Sequence, residues 1–289
     1  MDNFVYHPET DKQIKNYISK PLHALLIQGH KGSGKSTLLN LMAASVLGLE
    51  QSKLINYPHV MMISPDDKNK IAIDVVRNID HFLSLSVPGA QNKINRVILI
   101  DNADQMTTEA QNALLKHLEE PPVNTIFMLS VTNTTMILPT LLSRTFTLRL
   151  RQPTRNSLID MLIGQGYNEV DVKRAIGLSG GLPGLALAIL NGSDSHPLSK
   201  ASAMARTIIS SSRYQRLILV NDLTKDLQLL TNTLEVIELM ASAAIERSKA
   251  EQVPKWQHIL TITYQTKNNL LKNSNIKLNI TRFMLALGQ

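Results

Sequence analysis

Apolar and polar positions fall into two registers along the first half of this chain. Short apolar runs recur at Leu22–Gln28, His59–Ser64, Arg96–Ile100, Thr125–Val131 and Phe146–Leu150. They predict strands, and the length and branching of Arg96–Ile100 predict a buried one. Between them the apolar spacing lengthens to three and four. Glu9–Ser19, Ser36–Leu47, Ile71–Leu85 and Thr107–Glu120 therefore read as helices, with a short helical turn over Leu138–Leu142. The clearest is Thr107–Glu120. Ala110, Ala113, Leu114 and Leu118 share one face, Thr107 is placed to cap it, and Pro121-Pro122 ends it. Asp66–Lys70 and Pro88–Asn95 read as loops. Strands alternating with helices imply an α/β fold: a parallel five-stranded sheet with right-handed crossovers. Ligands of such sheets sit beyond the carboxyl ends of the strands.

After Pro153 only helical spacing remains. Thr154–Gln165, Glu169–Leu178 and Leu182–Leu190 predict a small three-helix unit, punctuated by Gly164, Gly166, Gly180 and Gly181. Gly192–Pro197 reads as a linker. Several longer helices follow, the best over Asp222–Lys249, where Leu227, Leu230, Leu234, Ile237, Met240, Ala241 and Ala244 repeat at helical spacing. The expected organisation is an α/β domain over 1–152, a helical domain over 153–192 and a second all-α domain over 193–289.

Composition narrows the setting. With 43% hydrophobic residues the chain can bury a real core, and with no cysteine it has neither disulfides nor a thiolate metal site. That usage fits a reducing, cytoplasmic location. The opening Met1–Tyr6 shows no leader pattern, and no apolar run approaches the ~20 residues of a membrane span. The net charge of +7 is uneven: +1 over residues 1–150 and +6 over 151–289. After Glu251 no acid remains, while Lys255, Lys267, Lys272, Lys277 and Arg282 do. Such a tail suits nucleic acid, an acidic partner or plain solvent.

The chemistry concentrates at Gly29-His-Lys31-Gly32-Ser33-Gly34-Lys35-Ser36, followed by Thr37. It fits G-x-x-x-x-G-K-[ST] between a predicted strand and a predicted helix, the setting in which backbone N–H groups cradle phosphates. Lys35 is expected at the β- and γ-phosphates and Ser36 at Mg²⁺. Asp101, closing an apolar strand, is the expected acidic partner of that metal. Thr132, closing the next strand, suits a hydrogen bond to the terminal phosphate or its water. Asn102 follows Asp101 where a hydrolase of this type carries a glutamate. An amide can position water but cannot take its proton. Asp104 replaces that base only if its loop turns it inward.

The run Asp101-Asn-Ala-Asp-Gln-Met-Thr-Thr-Glu-Ala-Gln-Asn-Ala-Leu-Leu-Lys-His-Leu-Glu-Glu-Pro-Pro122 closely resembles the clamp-loader subunits of bacterial DNA polymerase III, which are AAA+ proteins. Leu141-Leu-Ser-Arg-Thr145 resembles their Ser-Arg-Cys motif, and Pro21-Leu-His-Ala24 also fits. The resemblance spans roughly residues 20–190. It implies a helical lid after the α/β domain, then a collar that closes a hetero-pentameric ring. Within the family, Asn102 and Gly184, which stands where hydrolysing members carry a lid arginine, resemble the delta-prime branch. The resemblance then implies ATP or ADP with Mg²⁺ held but weakly hydrolysed, and no zinc module. It makes Arg144 an arginine finger in trans. The partners it implies are the other loader subunits, the sliding clamp and primed duplex DNA, with Lys116 a candidate DNA contact. The alternatives are a hydrolysing gamma/tau-like motor, with Asp104 or Asn133 covering for the glutamate, and a scaffold whose loop holds no nucleotide.

Overall fold

The computed structural model describes residues 6–66, 69–85, 94–192, 198–245, 251–271 and 275–287. Most of the loop expected at 88–95 and of the linker expected at 192–197 lies outside the described residues. The chain divides into two compact units, Met1–Pro153 and Thr154–Gln289.

In the first unit the elements run α1 (Pro8–Ser19), β1 (Ala24–Gln28), α2 (Lys35–Leu47), α3 (Gln51–Leu54), β2 (Val60–Ile63), α4 (Ile73–Ser84), β3 (Arg96–Ile100), α5 (Thr108–Glu119), β4 (Thr125–Val131), α6 (Pro139–Leu142) and β5 (Phe146–Arg149). The five strands form one sheet in the order β2-β3-β4-β1-β5, and every pairing is parallel. Parallel strands covered on both faces read as unbroken apolar runs, and alternation within each run supplies two cores. Leu26, Ile98, Ile100, Phe127 and Leu129 pack on one face with Val76 and Ile79 of α4 and Leu114 and Leu118 of α5. Leu25, Ile27, Val97, Leu99 and Met128 pack on the other with Ile14 and Tyr17 of α1 and Leu38 and Met42 of α2. β4 is buried along its whole length, between β3 and β1. The carboxyl ends of β1, β3 and β4 are therefore neighbours, and the segments that follow them meet at one edge.

The second unit is all helical among the described residues: α7 (Arg155–Gly164), α8 (Glu169–Leu178), α9 (Pro183–Leu190), α10 (Ser199–Ser210), α11 (Arg213–Lys225), α12 (Leu227–Ile245), α13 (Val253–Leu271) and α14 (Ile276–Ala286). Leu158, Leu162, Val172, Ile176 and Ala186 form a small core. Leu182 and Leu185 instead join a larger core with residues of α10, α11, α12, α13 and α14. α9 thus serves both. The α8–α9 turn presses on α12 at Gly180, where φ is +62° and an added Cβ would lie 2.8 Å from Leu239 Cβ and 3.0 Å from its carbonyl oxygen. Only glycine meets both demands.

The helix expected over Asp222–Lys249 is not one helix. Asp222 belongs to the last turn of α11, and the chain extends at Asp226 (φ −120°, ψ 93°) before α12 begins. Asp226 Oδ1 accepts the Leu229 N–H at 2.9 Å, the behaviour of an aspartate at a helix start. Apolar spacing runs on across a one-residue cap, so periodicity alone could not detect the break. Residues 246–249 lie outside the described residues.

Candidate functional site

The loop between β1 and α2 is shaped by glycine. Gly32 and Gly34 have φ of 79° and 89°, in the left-handed region. Gly34 caps α2 with no side chain on its N-terminus, and the first turn holds no acid. The positive end of the helix dipole is thus left to an external anion. At Gly29 a Cβ would meet Ser33 Oγ at 3.0 Å and Leu150 Cβ at 3.1 Å, so a side chain there would make these neighbours give way. Ser33 Oγ is buried with no hydrogen-bond partner among the described residues.

Lys35 is only 5% exposed. Its Nζ donates to the His30 carbonyl at 2.9 Å and to Thr132 Oγ1 at 3.0 Å. The first bond folds the lysine back over its own loop. The second ties the loop to the end of β4, so the structure brings Lys35 and Thr132 together as their places at neighbouring strand ends require. Ser36 Oγ, more exposed, donates to Asp101 Oδ2 at 2.7 Å. Lys31 and Thr37 flank the group, both half-buried.

Asp101 is held from several sides. Its N–H continues the β3–β2 ladder to the Ile63 carbonyl at 2.8 Å. Its Oδ1 accepts from the Asn102 N–H at 3.1 Å and from Ser130 Oγ. Ser130 is fully buried in β4 and its Oγ also accepts the Asn102 N–H at 2.9 Å. The visible signal for Ser130 is a hydroxyl following the apolar stretch Ile126–Leu129, on the strand that neighbours β3; the sequence reading passed over it.

Asn102 takes a left-handed conformation (φ 49°) and opens a single 3-10 turn over Ala103–Gln105. That turn directs Asp104 inward. Asp104 is 8% exposed, and its Oδ2 accepts the backbone N–H of Thr132 at 3.2 Å and of Asn133 at 3.0 Å. Its carboxylate thereby fixes the end of β4, while Oδ1 is buried without a partner among the described residues. Gln111, 3% exposed on α5, is a second residue that sequence reasoning missed. Its Nε2 donates to the carbonyls of Met106 at 3.3 Å and Met136 at 2.9 Å, and its Oε1 accepts the Leu138 N–H at 2.8 Å. Standing three and seven residues before Leu114 and Leu118, Gln111 falls on the apolar face of α5, and a glutamine interrupting that face is its trace in the sequence.

Arg144 follows α6 and stands outside this cluster. Its side chain is 37% exposed, pairs with Glu119 at 2.9 Å and donates to the Thr140 carbonyl at 3.0 Å. It is therefore docked on the surface of its own unit and remains accessible. Lys116 is exposed in the last turn of α5, in a cleft shared with Arg77, Asp80, Glu109 and His117. His117 packs against Phe127 and sits below the usual imidazole pKa, because burial outweighs the opposing pull of Asp80 and Lys116 adds to it. The cleft thus carries charges of both signs.

Taken together, a buried ammonium, an uncapped helix start and a serine–aspartate pair of hard oxygen donors fit a phosphate chain with Mg²⁺. The comparisons agree with that chemistry. The family described as DNA polymerase III, delta subunit, matches residues 7–154. DNA polymerase III subunit delta′ of Haemophilus influenzae is 29% identical over 182 residues, 58% of this chain and 55% of that protein. The Escherichia coli subunit delta′ is 28% identical over 234 residues, 74% of this chain and 69% of the relative. A replication factor C small subunit of Natronomonas pharaonis is 30% identical over 162 residues, 55% of this chain and 46% of that protein. The chain thus spans roughly half to two thirds of these relatives. In fold, a DNA polymerase III gamma-subunit-related protein from Thermotoga maritima superposes with a TM-score of 0.53 at 19% identity, covering 96% of this chain and 98% of its own. AAA+ proteins in general bind nucleotide with Mg²⁺, and no helix among the described residues is long and apolar enough to cross a membrane. With half of its length matched by the family and its motifs assembled at one sheet edge, the chain belongs to the DNA polymerase III delta-subunit family, on the AAA+ fold.

Proposed function

We propose that this chain is a delta-prime-like clamp-loader subunit of the cytoplasmic replication machinery. It binds ATP or ADP with Mg²⁺, hydrolyses it weakly and supports a neighbour's hydrolysis. The observation that carries this reading is the composition of the site: Lys35 is hydrogen-bonded to Thr132 and Ser36 to Asp101, with Asn102 in place of a general base. Lys35 and the α2 N-terminus would bind the phosphates, and Ser36 and Asp101 would hold the metal, which supplies charge neutralisation when bound. Ser130 and the Asn102 N–H keep the Asp101 carboxylate oriented for that task. Asp104 holds the backbone under Thr132. Asp101 is assigned to the metal, which leaves Asp104 as the other carboxylate of this arrangement; its Oδ2 is taken by backbone N–H groups and its Oδ1 lies buried without a partner among the described residues.

Arg144 would act on the next subunit's nucleotide. Its exposure permits this, and release from Glu119 would free the guanidinium. The lid over 153–192, with Gly184 in place of an arginine, and the collar over 193–289 complete the proposed organisation. Partners would be the other ring subunits, the sliding clamp and, through the assembled ring, primed DNA, with Lys116 a contact to phosphate. A hydrolysing motor is favoured by one observation, the inward turn of Asp104. Against it, one oxygen of that carboxylate already accepts two backbone N–H groups.

Steady-state ATPase separates the two. The purified chain should turn over far below the usual enzyme range of roughly 1–10³ s⁻¹. Mixed with its partner subunits, Arg144→Ala should depress the complex's ATPase by about 10³-fold or more while leaving nucleotide binding by this chain intact. Unchanged ATPase in that complex would remove the finger role.

A further inference from the structure

A cavity of about 370 Å³ opens beside the phosphate loop, lined by Gln28, Gly29, His30, Thr132, Arg149 and Leu150. No acid lines it. Arg149 is the last residue of β5, exposed, and its side chain forms no ion pair among the described residues. Its place is nonetheless built. The following N–H, of Leu150, donates to the Gln28 carbonyl at 2.7 Å. The Arg149 carbonyl accepts the hydroxyl of Thr10, a fully buried residue of α1, at 3.1 Å. In register Arg149 lies opposite Gln28, the residue before Gly29, and neighbouring strands are about 4.8 Å apart. Leu148 and Leu150 enter the core on one face of the sheet, so strand alternation sends Arg149 to the other.

We propose that Arg149 is a phosphate-binding residue, contacting the terminal phosphate of a nucleoside triphosphate from within the same chain. The inference rests on the nucleotide-binding reading above and goes beyond it in naming what selects triphosphate over diphosphate. Thr132 joins the two sides of the argument. Its hydroxyl accepts from Lys35 Nζ, the group expected at the β- and γ-phosphates, and it also lines the Arg149 cavity. A guanidinium brings a fixed fork of donors that matches phosphate oxygens. A diphosphate leaves that fork without its partner.

Calorimetric titration of the full chain with Mg-ATP and with Mg-ADP tests this, using wild type, Arg149→Ala, Arg149→Lys and Lys35→Ala. Arg149→Ala should weaken ATP binding about tenfold or more and ADP binding less than about threefold. Arg149→Lys should recover part of the ATP loss. Arg149 is exposed, so circular dichroism of both variants should match wild type. Unchanged ATP affinity in Arg149→Ala, or equal losses for the two nucleotides, overturns the role of Arg149 alone, provided Lys35→Ala abolishes binding. A wild-type chain that binds neither nucleotide overturns the nucleotide-binding reading and this inference with it.

Discussion

Gln111→Met removes three hydrogen bonds from the core while nearly keeping side-chain length. In the wild type, the amide joins the carbonyls of Met106 and Met136 and the N–H of Leu138 across three segments: the turn before α5, the turn after β4, and the start of α6. The thioether can donate to neither carbonyl and is at best a weak acceptor. A buried donor left without a partner costs about 1–3 kcal/mol, and carbonyls, with a second lone pair, cost less. Without a large cavity to add, the total is about 2–4 kcal/mol. For a unit of this size each kcal/mol moves Tm by about 2–4 °C, so the midpoint should fall on the order of 5–15 °C. Urea and thermal unfolding of the full chain measure this directly. Gln111→Glu offers a second reading of the same geometry. It keeps the acceptor for Leu138 but sets a carboxylate against two carbonyl oxygens. It should be the worse variant at neutral pH and recover as acid protonates the introduced carboxyl. The reasoning fails if Gln111→Met unfolds within about 0.5 kcal/mol of wild type, the spread of substitutions that break no buried feature.

Three further outcomes follow from the structure. Gly180→Ala should destabilise the Thr154–Gln289 unit by at least about 1 kcal/mol, from the left-handed backbone and the approach to Leu239; denaturant unfolding that matches wild type would refute it. Burial lowers the folded-state pKa of His117, so its contribution to stability is present above the ordinary value of 6.5 and declines as pH falls from there toward the lower folded value; the decline should vanish from the unfolding profile of His117→Gln. Glu119→Gln should change stability by less than about 1 kcal/mol, since the Arg144–Glu119 pair is half exposed, and a larger loss by thermal unfolding would show that the pair is structural.

The apolar runs and their spacing were enough to place all five strands and the helices between them except the single turn α3, and the reading was plainest for β3 and β4, because a strand buried on both faces needs a continuous apolar stretch. The phosphate loop was equally legible. Its glycines are required by backbone geometry, and backbone requirements leave residue-type marks in a chain. The places of Asp101 and Thr132 beside that loop were legible for a related reason: strand ends are visible as the close of an apolar run, and parallel topology brings them together. The family resemblance came from the same stretch of residues, and the 7–154 match covers it.

Ser130, Asp104 and Gln111 were decided only in three dimensions. Each is a polar residue whose value depends on partners 25 or more residues away along the chain, such as Ser130 with Asp101 and Gln111 with Met136. A linear pattern records what a residue is, not which backbone group arrives beside it. The same limit explains Asp226, where one cap interrupts a periodicity that continues on both sides. It also explains Arg149, which alternation marks as an outward strand residue and which only sheet order sets opposite Gln28 at the root of the phosphate loop. The chain by itself determined most of the elements, the loop and the family resemblance, since these follow from local backbone and burial demands. Which carboxylate, amide and guanidinium lie beside the loop was left to the tertiary structure, because contacts between distant segments exist only once the sheet has brought them together.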